Sequence, residues 1–433
     1  MFRLALEKLE NWRSSENRKP LIIRGARQVG KTWLMKTFGK SNYQNVAYIN
    51  FENNERMRNL FKEDLNIERI LTGLQIESAT VINSQTLIIF DEVQEVPTAL
   101  TSLKYFQENA PEFHILSAGS ALGVSLHQGA SFPVGKVDFL DLYPLNFIEF
   151  LMATGNQALV DLLESQDTPL ITSFKSKYID LLRTYYFVGG MPEAVQIYLD
   201  TRHFLQVREV QERLLLAYEQ DFSKHVPYEQ VPRIRQAWNS MPAQLSRENR
   251  KFVYGLIKQG ARAREFELAL LWLQDSSLIH KVYRATKPES PLAAYQDGNA
   301  FKVFMLDVGL LGALSNLDAA SMLGGNEVFM QYKGALTEQY VFQQLSSMRK
   351  DDLFYWSAEN ATAEIDFIIQ KDGRVYPIEV KAEENLKSKS LKVYRERFDP
   401  QKSVRTSMSD YRDEGWLVNI PLYMINQVDS LLT

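Results

Sequence analysis

The stretch Gly25-Ala-Arg-Gln-Val-Gly-Lys-Thr32 decides the fold of the N-terminal part of this 433-residue chain. It has the Gly-x-x-x-x-Gly-Lys-Thr spacing of a phosphate-binding loop, or P-loop, and it follows an apolar strand pattern at residues 21–23. Glycines allow the backbone to fold around a polyphosphate, which is attracted by backbone N–H groups and by the dipole of the following helix. We expect Lys31 to reach the outer phosphates and the Thr32 hydroxyl to bind Mg²⁺. The predicted nucleotide-binding residues are Gly25, Ala26, Arg27, Gln28, Val29, Gly30, Lys31, Thr32 and Trp33.

A second pattern supports this prediction, because an apolar run at residues 87–90 ends in the acids Asp91 and Glu92. Such a run predicts a strand buried in a parallel sheet, and these sheets bind ligands beyond the carboxyl ends of their strands. Asp91 would hold Mg²⁺ through water, and Glu92 would polarise the water that attacks the nucleotide. The alternative is that both acids begin a solvated helix. We predict ATP and Mg²⁺ as ligands and ATP hydrolysis as the reaction.

Polar residues that follow the next strand pattern, at residues 114–118, are candidates for a contact with the γ-phosphate. Ser120 is the first candidate and Ser117 the second, while a plain turn at residues 119–120 is the alternative. Lys136 is expected either to add positive charge near the nucleotide or to be a solvated lysine. Strands alternate with helices throughout residues 1–150, which predicts an α/β P-loop domain with a parallel sheet.

Composition and charge exclude several classes of protein. The length predicts roughly two to four domains, and 45% hydrophobic with 12% aromatic residues indicates a folded chain. A net charge of −4 argues against a protein that coats nucleic acid, and the absence of cysteine excludes disulfides and thiolate zinc sites. The five histidines lack the spacing of metal ligands. No apolar run is long enough to span a membrane and the N-terminus lacks a signal core, so we expect a cytoplasmic protein without membrane contact.

The middle of the chain divides into two segments. Residues 151–243 have helical patterns, interrupted at residues 189–192 by Gly-Gly-Met-Pro, where one helix should end and another begin. Residues 244–325 have two helical patterns and then two strand patterns, the order of a winged helix-turn-helix. Residues 244–290 carry nine Lys or Arg against five Asp or Glu. This modest excess allows two interpretations, a nucleic-acid-binding face or a protein-interaction wing. The candidate phosphate contacts are Arg247, Arg250, Lys251, Lys258, Arg262 and Arg264.

Residues 326–433 contain a strong hairpin signal, because alternating strand patterns flank Asp-Gly at residues 372–373. A two-residue turn there fixes the register of the two strands. Asp366 then falls opposite Glu379, and Glu364 falls opposite Lys381, with all four side chains on one face.

Opposed carboxylates repel each other unless a positive charge lies between them. A divalent cation that prefers oxygen ligands, Mg²⁺ or Mn²⁺, would supply that charge, with Asp366 and Glu379 as its ligands. Lys381 would orient a metal-bound water or stabilise charge on a phosphate. Glu338, on the apolar stripe of a helical pattern, would be a third acid at the metal. The alternative is a salt-bridged hairpin in which Lys381 neutralises the acids.

The arrangement Glu338 … Asp366 … Glu379-x-Lys381 resembles the core of the PD-(D/E)XK, or restriction-endonuclease-like, nucleases. In that core, a helix acid, a hairpin Asp and a Glu-x-Lys motif gather one or two metal ions for phosphodiester hydrolysis. The resemblance therefore implies catalytic roles for Glu338, Asp366, Glu379 and Lys381.

The whole chain resembles a large prokaryotic family of AAA-type ATPases with a C-terminal domain of unknown function. The resemblance implies an α/β protein with four parts: a P-loop NTPase parallel-sheet domain, a helical linker, a winged helix-turn-helix and a C-terminal α/β restriction-endonuclease-like domain. It rests on the P-loop and on motifs at residues 90–94, 118–120, 131–136, 143–150, 189–193, 306–310 and 334–338.

Two classes of function remain open. The first is an ATP-dependent enzyme that acts on DNA or RNA, with metal-dependent cleavage in the C-terminal domain. The second is a nucleotide-controlled binding switch, in which the C-terminal domain is inactive and docks a partner. A homo-oligomer is possible in both cases, because ATPases of this type often assemble to complete their sites.

Overall fold

The computed structural model describes residues 2–119, 133–223, 226–247, 251–320, 327–358, 363–384 and 387–432. The chain divides into two compact units. The first comprises Met1–Tyr143 and Asp275–Leu278, and the second comprises Pro144–Gln274 and Ile279–Thr433. Over the described ranges, no helix combines the length and the apolar character needed to cross a membrane.

The first unit is built on a five-stranded sheet in which every neighbouring pair of strands is parallel. The strand order is β2–β3–β4–β1–β5. The strands are β1 (Leu21–Arg24), β2 (Asn45–Asn50), β3 (Thr86–Asp91), β4 (His114–Ala118) and β5 (Asp138–Asp141). The helices are α1 (Ala5–Ser14), α2 (Lys31–Asn42), α3 (Glu55–Glu63), α4 (Ile67–Ser78) and α5 (Pro97–Asn109).

This sheet confirms the predicted parallel P-loop architecture. Strand β3 is buried along its whole length, as its unbroken apolar run requires when both faces of a sheet are covered. Strand β4 lies between β1, which leads into the P-loop, and β3, which ends at Asp91. The carboxyl ends of these parallel strands meet at one edge, so the fold gathers the predicted nucleotide-binding residues there.

The second unit begins with helices and ends in a mixed sheet. The strands are β6 (Ile279–Ala285), β7 (Gln296–Met305), β8 (Phe354–Ser357), β9 (Glu364–Lys371), β10 (Arg374–Val380), β11 (Ser403–Ser407), β12 (Arg412–Asp413) and β13 (Leu417–Pro421). Their order is β12–β13–β11–β10–β9–β8–β6–β7.

The remaining helices follow in chain order and surround or precede this sheet. They are α6 (Phe147–Ala153), α7 (Gln157–Ser165), α8 (Thr168–Ser173), α9 (Lys175–Val188), α10 (Pro192–Thr201), α11 (Phe204–Asp221), α12 (Val231–Asn239), α13 (Met241–Leu245), α14 (Ala263–Asp275), α15 (Val308–Leu314), α16 (Glu327–Met348), α17 (Lys389–Phe398) and α18 (Val428–Leu431).

The β6–β7 hairpin, which the sequence predicted as the wing of a winged helix, is part of the C-terminal sheet. Tyr283 and Arg284 of β6 pair in parallel with Phe354 and Tyr355 of β8. The hairpin therefore forms one edge of an eight-stranded sheet. The winged helix stays a prediction.

One predicted helix of that segment is absent from the described part of residues 244–290. The spacing of apolar residues predicts a helix near residues 252–257, whereas the structure has only a 3₁₀ turn at Tyr254–Leu256. The backbone N–H of Phe252 donates to the carbonyl of Phe301 at 2.8 Å, and the two rings stack with centroids 5.3 Å apart. The side-chain amide of Gln244 bonds both backbone groups of Val253. These contacts fix Phe252 and hold Val253 extended, so no α-helix forms there in spite of the helical spacing.

Residues 189–190, the predicted break between two helices, contact a buried aspartate. The carboxylate of Asp307 accepts hydrogen bonds from the backbone N–H groups of Gly190 at 2.6 Å and Leu310 at 3.0 Å. A Cβ atom at Gly189 would lie 2.1 Å from that carboxylate, and one at Gly190 would lie 2.0 Å from the carbonyl oxygen of Leu145. Only glycine fits at either position, so the motif has a structural explanation.

Three glutamines of α16 complete this buried network. Gln343 donates to the carboxylate of Asp307 and to the hydroxyl of Tyr185, each at 3.0 Å. Gln344 accepts from the backbone N–H of Phe147 at 2.7 Å, and Gln339 bonds both backbone groups of Met305. Four of the sequence motifs, at residues 143–150, 189–193, 306–310 and 334–338, thus contribute residues to one buried polar network or lie next to it.

Candidate functional sites

The P-loop has the backbone conformation that phosphate binding requires. Gly25, Gln28 and Gly30 have positive φ angles of 145°, 64° and 97°, and α2 begins directly after Gly30. A Cβ atom at Gly25 would lie 2.2 Å from the carbonyl oxygen of Leu142, which explains the glycine at this position. The loop therefore directs the start of a twelve-residue helix toward the predicted phosphate position.

Lys31 folds back on its own loop. Its Nζ donates to the carbonyl oxygens of Gly25 at 2.7 Å and Ala26 at 2.8 Å. Burial lowers the pKa of Lys31 to about 8, although the nearby carboxylates of Glu92 and Asp91 oppose that fall. The ammonium is thus held within the loop and loses its proton more readily than an ordinary lysine.

The acids at the end of β3 lie beside the start of α2. The carboxylate of Asp91 accepts a hydrogen bond from the Thr32 hydroxyl at 2.7 Å and another from the Tyr48 hydroxyl at 2.9 Å. Burial and the Asp91 carboxylate raise the pKa of Tyr48, so its hydroxyl remains a donor. Thr32 and Asp91 together present two oxygen atoms, the ligand type that Mg²⁺ prefers.

Glu92 is held in an unusual conformation. It has φ 52° and ψ 44°, in the left-handed region that few residues other than glycine adopt. The side-chain amide of Gln94 donates to its carboxylate at 2.6 Å. Residues in this region cluster at functional sites, and in this chain they also end helices, as at Ala79 and Arg202. The backbone conformation and the hydrogen bond from Gln94 hold the Glu92 carboxylate, which is predicted to activate water, in one position.

The sequence did not predict two residues that support this site. Buried Arg3 donates to the carbonyl oxygens of Val29 at 2.9 Å and Tyr143 at 2.5 Å, and Tyr48 contacts Asp91 as described. The place of Tyr48 in the sequence could have indicated its role, since it lies in the strand β2 that pairs with β3. Nothing in the local sequence indicates the role of Arg3, because its contacts are distant in the sequence.

Several other predicted nucleotide-site residues have a defined place in the structure. Ala26 and Val29 are buried in the loop, Arg27 is half-buried and Trp33 is 40% exposed on α2. The Ser117 hydroxyl is buried within β4. Lys136 forms an ion pair with Glu108 of α5 at 3.0 Å. Ser120, the first candidate for the γ-phosphate contact, lies outside the described residues.

The C-terminal hairpin has the register that its turn predicted. Asp372 and Gly373 both have positive φ angles, 50° and 75°, as a two-residue hairpin turn requires. Lys371 pairs with Arg374, and the pairing continues to Phe367 and Ile378. The next positions in that register are Asp366 and Glu379, and the Asp366 carboxylate accepts a hydrogen bond from the backbone N–H of Val380 at 2.8 Å.

A lysine that the sequence did not predict as a site residue lies among the predicted acids. Lys302 of β7 is fully buried, and its Nζ lies 3.0 Å from Glu338, 2.6 Å from Glu364 and 3.6 Å from Asp366. Glu338 therefore has the specific partner that its place on an apolar stripe predicts, and that partner is an ammonium. A lysine within the apolar run of residues 301–306 was the available signal, because a buried charge needs a partner.

Glu379 and Lys381 form a second ion pair at the same end of the hairpin, 2.8 Å apart. Burial raises the pKa of Glu379, and the Asp366 carboxylate adds to that rise, whereas the Lys381 ammonium opposes it. We call the six residues of the two ion-paired groups the acid cluster: Lys302, Glu338, Glu364, Asp366, Glu379 and Lys381. Over the described ranges, no three Asp, Glu or His side chains are grouped as a metal site would need.

The predicted phosphate contacts of the segment from residue 244 to 290 are exposed where they are described. Arg247, Lys251, Lys258, Arg262 and Arg264 all face solvent, while Arg250 lies outside the described residues.

Comparison with known proteins gives matches for three segments of the chain. Residues 17–151 match the family model of an AAA domain. Residues 179–321 and 333–423 match the models of two domains of unknown function, DUF8612 and DUF4143. A sequence comparison with curated proteins gave no significant match.

Solved structures resemble the chain at low sequence identity. The Walker-type ATPase PABY2304 of Pyrococcus abyssi is 16% identical, with a TM-score of 0.45, over 72% of this chain and 94% of that one. The ORC1 protein of Aeropyrum pernix, solved in complex with DNA, is 14% identical, with a TM-score of 0.28, over 72% and 90%. The geometry of the P-loop and β3 agrees with the family model: the N-terminal part of this chain is a P-loop NTPase-like domain that is similar to AAA domains.

Proposed function

We propose that this protein binds ATP with Mg²⁺ and hydrolyses it at the P-loop. The observation that carries the proposal is the 2.7 Å contact between the Thr32 hydroxyl and the Asp91 carboxylate, with Glu92 fixed next to them. P-loop ATPases place a hydroxyl and an acid together in this way to hold the metal ion of the bound nucleotide.

Each residue has a distinct role in this proposal. Lys31 releases its two backbone carbonyls and donates to the outer phosphates, where an ammonium stabilises developing negative charge. Thr32 and Asp91 hold Mg²⁺, which supplies positive charge to the phosphate oxygens when it is bound. Glu92 accepts a hydrogen bond from the attacking water, and Gln94 keeps its carboxylate in place.

ATP turnover by the full chain tests this function. Lys31→Ala should abolish nucleotide binding, and Glu92→Gln should retain binding while lowering kcat at least about a hundredfold, the scale of a lost general base. Glu95→Gln is the matched control, since Glu95 is an acid of the same 3₁₀ turn and should leave turnover unchanged. Equal turnover by wild type and Glu92→Gln would refute the role of Glu92.

We further propose that the second unit acts on nucleic acid, with metal-dependent phosphodiester cleavage at the acid cluster. The convergence of carboxylates supports this proposal. Glu338, Glu364 and Asp366 meet at Lys302, and Glu379 lies beside Lys381. Mg²⁺ binds through one or two carboxylates together with substrate phosphates.

Two surfaces of the second unit offer positive charge to nucleic acid. One is the exposed set of cations between residues 247 and 264. The other is α17, whose Lys389, Lys392, Arg395 and Arg397 are exposed and, within the described part of the chain, form no ion pair. Arg395 stacks on Trp416 with its guanidinium 4.5 Å from the ring centroid. Basic residues beside an aromatic ring are typical of single-strand binding surfaces.

The alternative is a nucleotide-controlled binding switch with an inactive acid cluster. Two observations favour it: the ammonium of Lys302 already neutralises part of the cluster, and Lys381 is bound to Glu379. In this case ATP binding would control a partner interaction of the second unit, and no phosphodiester bond would be cleaved.

Cleavage of labelled single- and double-stranded DNA and RNA, with Mg²⁺ or Mn²⁺ and with or without ATP, separates the two functions. Asp366→Asn should abolish cleavage by a nuclease, while Asp372→Asn should not, because Asp372 lies in the turn of the same hairpin and asparagine tolerates its positive φ. Loss of cleavage in Lys31→Ala would show control by ATP. No cleavage by a protein with intact ATP turnover would establish the switch.

A further inference from the structure

The carboxylate of Asp91 is held by three hydrogen bonds, and one of them comes from outside the P-loop and β3. Its Oδ2 atom accepts from the Thr32 hydroxyl at 2.7 Å and from the Tyr48 hydroxyl at 2.9 Å. Its Oδ1 atom accepts from the backbone N–H of Glu92 at 3.2 Å. Both oxygen atoms of this buried carboxylate are therefore engaged, and these contacts fix its orientation.

The place of Tyr48 in the sheet explains why its side chain reaches Asp91. In the parallel pair of β2 and β3, Tyr48 lies directly opposite Ile89, two residues before Asp91. Because side chains alternate between the two faces of a sheet, these three residues share one face. Ala47 and Ile49 point to the other face, where both are buried in the apolar core. Tyr48 is thus the residue of this part of β2 that projects toward the nucleotide-site acid.

The ring of Tyr48 also contacts the helix that follows the P-loop. The Nζ of Lys36, in α2, lies 3.6 Å from the centroid of that ring, where a cation is attracted by the negative face of the aromatic system. Lys36 and Thr32 are four residues apart, so they lie on the same side of α2. Tyr48 is therefore held to α2 through its ring, while its hydroxyl holds Asp91.

This arrangement is suited to orient a metal ligand. Thr32 and Asp91 offer the oxygen atoms that Mg²⁺ prefers. The Thr32 hydroxyl can bind a cation through a lone pair and still donate its proton to Asp91. Hydrogen-bond partners behind a metal site fix the orientation of its carboxylates, and their loss typically lowers metal affinity about 10–100-fold. Tyr48 has the position of such a partner.

We propose that Tyr48 is a positioning residue for Mg²⁺ at the P-loop: its hydroxyl holds Asp91 in the orientation that binds the ion and so sets the metal affinity of the nucleotide complex. This inference rests on the proposed ATP function, and it adds a residue of the neighbouring strand that controls the metal and takes no part in the chemical step. Because Asp91 is expected to hold Mg²⁺ through water, the effect should lie near the lower end of the usual range, about tenfold.

The affinity for Mn²⁺, used in place of Mg²⁺, tests this role by electron paramagnetic resonance on the full chain with a non-hydrolysable ATP analogue bound. All proteins carry Asp366→Asn, so that an ion at the acid cluster does not contribute. Tyr48→Phe removes only the hydroxyl and keeps the ring against Lys36. It should raise the Kd for Mn²⁺ about tenfold and leave the Kd for the analogue in EDTA unchanged.

Tyr43→Phe is the matched control. Its hydroxyl also has a partner, a ring nitrogen of His114 at 2.6 Å, but His114 begins β4 at the edge of the sheet opposite the P-loop. This variant should bind Mn²⁺ and the analogue as the parent protein does. ATP turnover gives a second readout: Tyr48→Phe should need about tenfold more Mg²⁺ for half-maximal turnover, and its kcat at saturating Mg²⁺ should equal that of the parent.

The outcomes separate the inference from the function on which it rests. An unchanged Kd for Mn²⁺ in Tyr48→Phe would overturn the inference. An equal loss of analogue affinity in EDTA, or a variant that does not fold, would also overturn it, because either would show a structural role. A kcat that stays low at saturating Mg²⁺ would overturn it by placing the hydroxyl in the chemical step. Failure of the parent protein to bind the analogue would overturn the ATP function itself, and that result needs no variant of Tyr48.

Discussion

The affinity of this protein for ATP should fall as the pH rises through about 8. Lys31 is buried in the apo P-loop, and this burial lowers its pKa to about 8. Bound phosphates would raise that pKa again, because an opposite charge favours the ammonium form. The protonated lysine is the form that binds phosphate, so binding above pH 8 requires the uptake of a proton.

The size of the effect follows from the pKa of the free protein. With a pKa of about 8, Lys31 is about 90% protonated at pH 7 and about 10% protonated at pH 9. The apparent Kd for MgATP should therefore rise about tenfold across this range, which corresponds to about 1.4 kcal/mol. ATP contributes little to this change, because a terminal phosphate titrates near about pH 6.

Isothermal titration calorimetry in buffers with different ionisation enthalpies measures both quantities. Wild type should take up close to one proton per ATP at pH 9 and about 0.1 at pH 7. Lys31→Arg is the control: a guanidinium stays charged throughout this range, so proton uptake should vanish even if affinity falls. A wild-type Kd that is constant between pH 7 and 9, with no proton uptake, would refute the reasoning.

Three substitutions test the other contacts. Gln94→Ala frees the carboxylate of Glu92 and should lower kcat for ATP roughly tenfold with KM unchanged, since the amide only positions the general base; an unchanged or raised kcat would contradict this role. Gly190→Ala drives a Cβ atom into a backbone carbonyl at 2.0 Å and should reduce the free energy of unfolding by about 3 kcal/mol. Gly298→Ala, at a position with open space, is the control and should change the free energy of unfolding by less than about 0.5 kcal/mol. A denaturant titration measures both variants. Asp307→Asn places an amide N–H opposite backbone N–H groups that now donate to the carboxylate. Calorimetry should show that the free energy of unfolding falls by about 3 kcal/mol; an unchanged free energy would mean that the network rearranges.

Features encoded over short distances were predictable from the sequence. The P-loop, the buried strand that ends at Asp91 and the Asp-Gly turn each depend on residues within one strand and its adjacent turn. The hairpin register followed by counting from the turn, and the structure confirms it from Lys371 to Phe367. Local spacing is sufficient in these cases because the backbone conformation is set by the residues themselves.

Features that depend on distant parts of the chain were missed. Lys302 reaches Glu364 across two intervening strands, and Arg3 links the P-loop to Tyr143, which lies 140 residues further along the chain. The segment around Phe252 has helical spacing, yet contacts with Phe301 and Gln244 prevent an α-helix there. In each case a tertiary partner decides the outcome, and periodicity carries no information about that partner.

The pairing of β6 with β8 also affects when each unit can fold during synthesis. The parallel sheet of the first unit is complete once Asp141 has been made. The second sheet is different: Tyr283 pairs with Phe354, made about 70 residues later, and the sheet is finished only with β13, near the end of the chain. The β6–β7 hairpin therefore lacks its neighbour β8 until Phe354 has been made, and until then the backbone groups of β6 stay unpaired on that side. A chain that stops before Phe354 would keep that edge open, and an open edge is a ready partner for the strands of another chain.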